Sequence, residues 1–217
     1  MSPEWKIGKV IWILKDGKDP LLTDLYRPIT LLSTLGKLFE KIIAECIYDH
    51  IQEMNCIADE QFGFMRGRSC EDAVHAFLKG VHEALPLTNY SVAVSIDIVG
   101  AFNNIKWGVV NLELRKMNFP VWIQKMINSY PSDRVAFCGE SRVDFTRGCP
   151  QGSVLGPLIW IIAYNFIIAD LRRPKCKVFC YADDTILLCR GNTLASVKEL
   201  VSATTERAVL LLTEGSR

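Results

Sequence analysis

Two adjacent carboxylates, Asp183 and Asp184, stand inside an otherwise apolar stretch, Val178-Phe-Cys-Tyr-Ala-Asp-Asp-Thr-Ile-Leu-Leu188. The β-branched and aromatic residues on either side predict a hairpin with the two acids at its turn. Like charges in a partly dry site repel, and desolvation penalises both. A coordinated cation removes those costs; an exposed Asp-Asp turn avoids them. A second stretch repeats the anomaly. Ser91-Val-Ala-Val-Ser-Ile-Asp-Ile98 predicts a central strand, almost wholly apolar, interrupted by Asp97. Three carboxylates on two apolar strands can converge at one sheet edge. A two-metal phosphoryl-transfer site needs that arrangement: oxygen ligands for Mg²⁺, with substrate phosphates completing the shell.

A third feature is Arg147-Gly-Cys-Pro-Gln-Gly-Ser-Val-Leu-Gly-Pro157. Gly148, Gly152 and Gly156 permit close backbone approach to a ligand, and the Gln151 amide brings donors and an acceptor. Such a loop, opening a helix at Ser153, can hold a base and sugar. An ordinary loop with a helix cap is the competing reading.

The rest of the chain predicts mixed strands and helices without regular β-α-β alternation, hence α+β. Val10–Leu14 reads as a strand and Lys15–Pro20 as turn chemistry, with a returning strand through Tyr26 to Leu32. Ser33 can cap a helix in which Leu35, Leu38, Phe39, Ile42, Ile43, Cys46, Ile47 and Ile51 recur at helical spacing. Further helices are expected from Ser69 into the mid-80s, over Lys106–Met117 and Val121–Ser129, after Ser153, and over Thr193–Leu212. Short strands fit Arg134–Cys138 and Arg142–Arg147.

Composition narrows the class. Hydrophobic residues are 49% of the 217, which excludes a disordered chain. There are 25 basic and 24 acidic residues, so net charge points to no partner. The longest apolar run, Val154–Ala169, contains Gly156, Pro157 and Asn165 and reads as a core helix, with no membrane partner expected. The 8 cysteines match no secreted framework and no paired zinc spacing, so reduced thiols in an intracellular protein are expected.

Five segments, in this order and spacing, resemble the reverse transcriptases of non-LTR (LINE-type) retrotransposons, closest to insect elements that insert into ribosomal RNA genes. They are Tyr26-Arg-Pro-Ile29, Gln61-Phe-Gly-Phe64, Ile96-Asp-Ile-Val-Gly-Ala-Phe102, Gly148–Pro157 and Tyr181-Ala-Asp-Asp184. The resemblance implies a right-hand polymerase, with residues 1–90 mainly fingers and 91–217 mainly palm, the palm a small antiparallel sheet backed by helices. It implies RNA-templated addition of dNMP to a DNA primer 3′-hydroxyl, with two Mg²⁺ ions, or Mn²⁺ in their place. Asp97, Asp183 and Asp184 are then catalytic, with the Ile98 carbonyl as a further metal ligand. Phe102 stands at the position that excludes a ribose 2′-hydroxyl. Gln151 and Gly152 contact the incoming nucleotide, Lys15 and Arg27 its triphosphate, and Arg66 and Arg68 the template backbone. A nuclear location follows from the resemblance alone; no targeting signal is visible.

The pattern has departures. Asn103 replaces the Asp usual after Ala-Phe, Met65 stands where a basic residue is common, and Cys70 where Thr is common. The chain ends at Arg217, before the next motif's Lys, so a fragment without thumb, endonuclease or RNase H is expected. Two other readings stay open: an inactive nucleic-acid-binding remnant of such an element, and a group II intron-type reverse transcriptase/maturase. Ser153–Pro157 leans away from the latter.

Overall fold

A computed structural model describes residues 1–22 and 25–214 of the chain. In order, the elements are β1 (Ile7–Leu14), β2 (Tyr26–Leu32), α1 (Thr34–Met54), α2 (Cys70–Ala84), β3 (Tyr90–Ile96), α3 (Trp107–Lys116), α4 (Val121–Ser129), β4 (Val135–Cys138), β5 (Ser141–Asp144), α5 (Gly156–Leu171), β6 (Cys176–Tyr181), β7 (Asp184–Gly191) and α6 (Leu194–Glu214). They divide into two compact units, each discontinuous in sequence: Met1–Met54 with Phe102–Ile159, and Asn55–Ala101 with Trp160–Arg217.

The first unit carries a four-stranded sheet in the order β2-β1-β4-β5. β1 and β2 pair antiparallel from Gly8↔Leu32 to Leu14↔Tyr26, whereas β1 and β4 run parallel. The first strand begins three residues before the expected Val10. Asp16-Gly17 lies within the connection 15–25 and does not close a tight hairpin; Gly17 adopts a φ of +66°. Ser33 accepts the Gly36 amide at 3.4 Å, opening α1 as expected. The apolar stripe of that helix is buried only in part. Ile43, Ile47 and Ile51 are core residues, while Leu35, Leu38 and Ile42 are 62%, 57% and 55% exposed. The buried face takes in Glu40 instead. Val110, Leu114, Ile123, Ile127, Tyr130 and Leu158 of the same unit are essentially without exposure.

The second unit carries the antiparallel sheet β3-β7-β6. Here the expected central strand proves to be an edge strand. β3 ends at Ile96, and β7 lies in the middle. The residue pattern explains this. Ser91, Ala93 and Ser95 alternate with Val92, Val94 and Ile96, the period-2 signature of a half-solvated strand. β7 buries Thr185 and Leu187 through Cys189, as a strand with neighbours on both sides should. α2 packs on this sheet at Gly80, where an added Cβ would come within 2.9 Å of the Phe179 ring. Phe77 meets that ring edge-on, with centroids 5.6 Å apart. α2 starts with a reciprocal capping box: Ser69 accepts the Asp72 amide and Asp72 accepts the Ser69 amide. Ile161, Ile162, Ile168 and Leu171 of α5 are buried here, which is why that helix is apolar all round. Among the described residues, no helix is long and apolar enough to cross a membrane.

Candidate active site

The β6–β7 hairpin is closed by a two-residue turn, with Tyr181 paired to Asp184 and Ala182-Asp183 at the tip. Ala182 has a φ of +61°, in the left-handed region. A two-residue turn of this type favours Gly there, so an alanine must be held in place by its surroundings. Gln61 does most of this. Its side chain is fully buried; its Oε1 accepts the Ala182 amide at 3.2 Å and its Nε2 donates to the Ala182 carbonyl at 3.4 Å. Trp160 Nε1 donates to the same carbonyl at 3.0 Å. Gln61 itself is fixed because Glu60 and Phe62 bracket Cys180. The Cys180 amide donates to the Glu60 carbonyl and the Phe62 amide to the Cys180 carbonyl, both at 2.8 Å. Gln61 thus forms an isolated parallel bridge with Cys180 of β6. Gly63 closes over the turn, and a Cβ at that position would stand 2.1 Å from the Ala182 nitrogen. The Trp160 ring stacks on Tyr164 at 5.2 Å, and the Tyr164 hydroxyl meets Thr185 Oγ1 at 2.9 Å. Burial pushes the Tyr164 hydroxyl well up, and the Cys180 thiol beside it to about 12.

Register fixes where the acids lie. Ile96 pairs with Thr185, the last pair of the β3–β7 ladder, so Asp97, just past the end of β3, and Asp184, at the start of β7, both lie at the turn end of the sheet. Asp183 is half-buried, and Asp97 and Asp184 are exposed. The backbone therefore brings all three to one sheet end. Their side chains do not close on one point: among the described residues, no group of three or more His, Cys, Asp or Glu is gathered to hold a metal ion.

The glycine loop belongs to the first unit. Gly148 has a φ of +73°, and a Cβ there would lie 2.5 Å from the Asn103 carbonyl oxygen. The Cys149 amide donates to the Phe102 carbonyl at 2.8 Å, tying the loop to the segment that carries the ring. Phe102 is half-buried, and its ring edge reaches to 3.9 Å from where a Gly156 Cβ would be. On the loop's other side the Thr30 amide donates to the Gln151 carbonyl at 2.6 Å. Gly152, at φ +114°, leaves room for the Thr30 carbonyl, 2.6 Å from its missing Cβ. Ser153 accepts the Gly156 amide at 3.2 Å, as a cap should. Lys15 leaves β1 with its amide bonded to the Leu25 carbonyl, and Arg27 is exposed on β2, paired with Ile13.

Residues 13–210 match the family described as reverse transcriptase (RNA-dependent DNA polymerase). The chain belongs to the reverse transcriptase family. It is 35% identical over 204 residues to a probable RNA-directed DNA polymerase from transposon BS of Drosophila melanogaster, covering 87% of this chain and 22% of that protein. It is 34% identical to a putative 115 kDa protein of the type-1 retrotransposable element R1DM of the same species, over 90% of this chain and 19% of that protein. The chain thus spans about a fifth of the length of these relatives. Telomerase from Candida albicans, solved with a telomeric RNA fragment, shares the fold with a TM-score of 0.70 at 12% identity, covering 94% of this chain and 40% of that one.

Within this chain, two groups of cations serve local structure. Arg68 donates to the carbonyls of Ala58, Asp59 and Gln61 at 3.1, 3.2 and 2.6 Å, and to the Asp59 carboxylate at 3.1 Å. Its fork anchors the loop that carries Gln61; Arg66 is exposed. In the run Arg172–Lys177, Arg172 pairs with Glu60 at 2.6 Å and Lys177 with Glu83 at 2.5 Å. That run carries no acid of its own, but the fold supplies acids from other segments. Gln61, Gly63 and Trp160 were missed as supports of the Ala182-Asp183 turn; only Gln61 and Gly63 lay in a motif that marked them.

Proposed function

We propose that this chain is the catalytic region of a non-LTR retrotransposon RNA-directed DNA polymerase, extending a DNA primer along an RNA template with dNTPs. The observation that carries the reading is the β3–β7 register, whose last pair, Ile96 with Thr185, leaves Asp97 and Asp184 at the sheet end that bears the hairpin turn holding Asp183. In the reaction, a primer 3′-oxygen bonds to the α-phosphorus of a dNTP, the bond to the β-phosphate breaks, and pyrophosphate leaves.

An all-oxygen donor set fits a hard divalent cation. Mg²⁺ is commonly bound by one or two carboxylates plus substrate phosphates and water, so a closed three-carboxylate cage is not required. Asp97, Asp183 and Asp184 are the residues that would hold it, with the Ile98 carbonyl as a backbone ligand. Bound there, two Mg²⁺ ions, or Mn²⁺, would supply Lewis acidity toward the 3′-hydroxyl and charge neutralisation for the pyrophosphate. Gln151 and Gly152 orient the nucleotide, and Lys15 and Arg27 bind its triphosphate, Arg by its planar fork. Arg66 contacts the template backbone. We assign the fingers mainly to residues 1–90 and the palm mainly to 91–217, and we place the protein in the nucleus.

The deciding experiment is primer extension on an RNA template with Mg²⁺ and with EDTA. Extension with the metal and none with the chelator supports the reading. Hybrid binding without extension would replace it by the inactive-remnant reading.

Phe102 yields a sharper expectation. Its ring selects against a 2′-hydroxyl by bulk alone, so Phe102→Val is expected to raise incorporation of CTP relative to dCTP opposite a template G by about tenfold, the scale set by removing one steric contact from a pocket. An unchanged ratio would remove Phe102 from sugar selection.

A further inference from the structure

Glu40 is a carboxylate 1% exposed on α1, and both its oxygens are engaged. Oε2 accepts from Ser153 Oγ and the Val154 amide at 2.8 Å each, and from the Leu155 amide at 3.4 Å. Oε1 faces the Arg134 guanidinium at 3.5 Å. Ser153 is a second junction. Its hydroxyl accepts from Tyr130 Oη at 2.6 Å and from the Leu155 and Gly156 amides at 3.2 Å each. Arg134, also buried, donates to the Tyr130 carbonyl at 3.1 Å and lies 4.1 Å above the Tyr130 ring. Burial drives the Tyr130 hydroxyl well above its usual range, so it serves as a donor throughout the neutral range.

Stability alone is a poor reason for such a network. Well-packed apolar residues commonly replace a buried ion pair at no loss, whereas a partly satisfied network is costly. The direction of the bonds suggests another role. All three bonds to Glu40 Oε2 come from residues 153–155, directly after Gln151 and Gly152. Those two residues are held from the other side by Thr30 of β2. The start of the loop is held by the Gly148 and Cys149 amides on the Ile105 and Phe102 carbonyls, while the Gln151–Gly152 part is held by β2 on one side and by Glu40 on its helix side. Releasing the Glu40 contact leaves Thr30 as the clamp on Gln151 from outside the loop.

We propose that Glu40, acting through Ser153, is a positioning residue for nucleotide binding: it fixes the Gln151–Gly152 loop without touching the nucleotide. This rests on the role assigned to Gln151 and Gly152 above, and the test separates the two. Four quantities would be measured in the full chain for wild type, Ser153→Ala and Glu40→Gln. They are the KM for dNTP and kcat in primer extension, the Kd for an RNA–DNA hybrid, and amide hydrogen exchange.

Ser153→Ala is expected to raise the dNTP KM about tenfold, with kcat and hybrid Kd within about twofold, a split that misplacement of a substrate-contacting loop produces. Amides in 148–156 should exchange at least about tenfold faster, while those of β6 and β7 keep their rates. Glu40→Gln retains the volume and one acceptor oxygen and should show the same split at about threefold. An unchanged KM, or faster exchange spread over the whole unit, would reduce the network to a structural one and overturn the proposal. If wild type extends no primer, the functional reading falls, and the exchange data decide this one alone: acceleration confined to 148–156 upholds it, and none overturns it. If Ser153→Ala does not fold, Glu40→Gln carries the same two outcomes.

Discussion

Asp183→Asn is expected to abolish primer extension, by roughly a thousandfold or more, while leaving the fold intact. Removing a preorganised electrostatic partner of the reacting phosphate costs about 10²–10³ in rate even where the partner is a single neutral donor. A carboxylate that holds a cation is worth at least as much. The substitution is isosteric. Among the described residues, no hydrogen bond of the turn runs through the Asp183 side chain; Gln61 and Trp160 grip the backbone of Ala182 instead. The melting temperature should therefore stay within about 2 °C of wild type, as for a substitution outside the core. Extension at wild-type rate by the Asp183→Asn chain would end the assignment of Asp183. Loss of extension with a large drop in melting temperature would show that the carboxylate supports the fold instead.

The elements were legible where local chemistry decides them. Ser69 announces the start of α2, apolar spacing sets α4, and the long apolar run Val154–Ala169 becomes the buried helix α5. The three acids stood out because a charge beside apolar strand residues is informative, and the fold brings them to one sheet end. What the sequence hid depends on partners far along the chain. Glu40 looks like the polar break in an amphipathic helix. Yet it stands three, seven and eleven residues before Ile43, Ile47 and Ile51, on the same helical face, and its burial is permitted by Arg134 and Ser153 more than ninety positions later. Leu35, Leu38 and Ile42 share the apolar spacing but lie off that face, so they stay exposed. Likewise, the alternation of Ser91, Ala93 and Ser95 carried the edge-strand signal, which the β-branched residues between them outweighed. Gln61 was visible only as part of a motif; its grip on Ala182, 121 positions away, is a property of the fold.

That grip leads to the second large effect. Gly63→Ala is expected to lower extension by about a hundredfold and the melting temperature by about 4–8 °C. A Cβ at Gly63 would meet the Ala182 nitrogen at 2.1 Å, the Tyr181 carbonyl carbon at 2.8 Å and the Ala182 Cα at 2.9 Å. All three are backbone atoms, so no flexible side chain can yield. Either the loop after Gln61 or the turn itself must move. Overpacking of this kind costs about 1–3 kcal/mol, and for a chain of this size each kcal/mol lowers the melting temperature by about 2–4 °C. Moving the turn is worse than the clash for function. Ala182 already occupies a left-handed conformation that Gln61 and Trp160 must enforce, and Asp183 is the next residue. A shift of about 1 Å in a reacting group is enough for a hundredfold loss. Steady-state extension and a thermal melt on the same preparation give both numbers. A Gly63→Ala chain that melts several degrees lower yet extends primers at the wild-type rate would place the strain in the 60–63 loop, with the turn and its carboxylate undisturbed. A chain that loses extension as Asp183→Asn does, at little cost in melting temperature, would locate the strain at the catalytic turn itself.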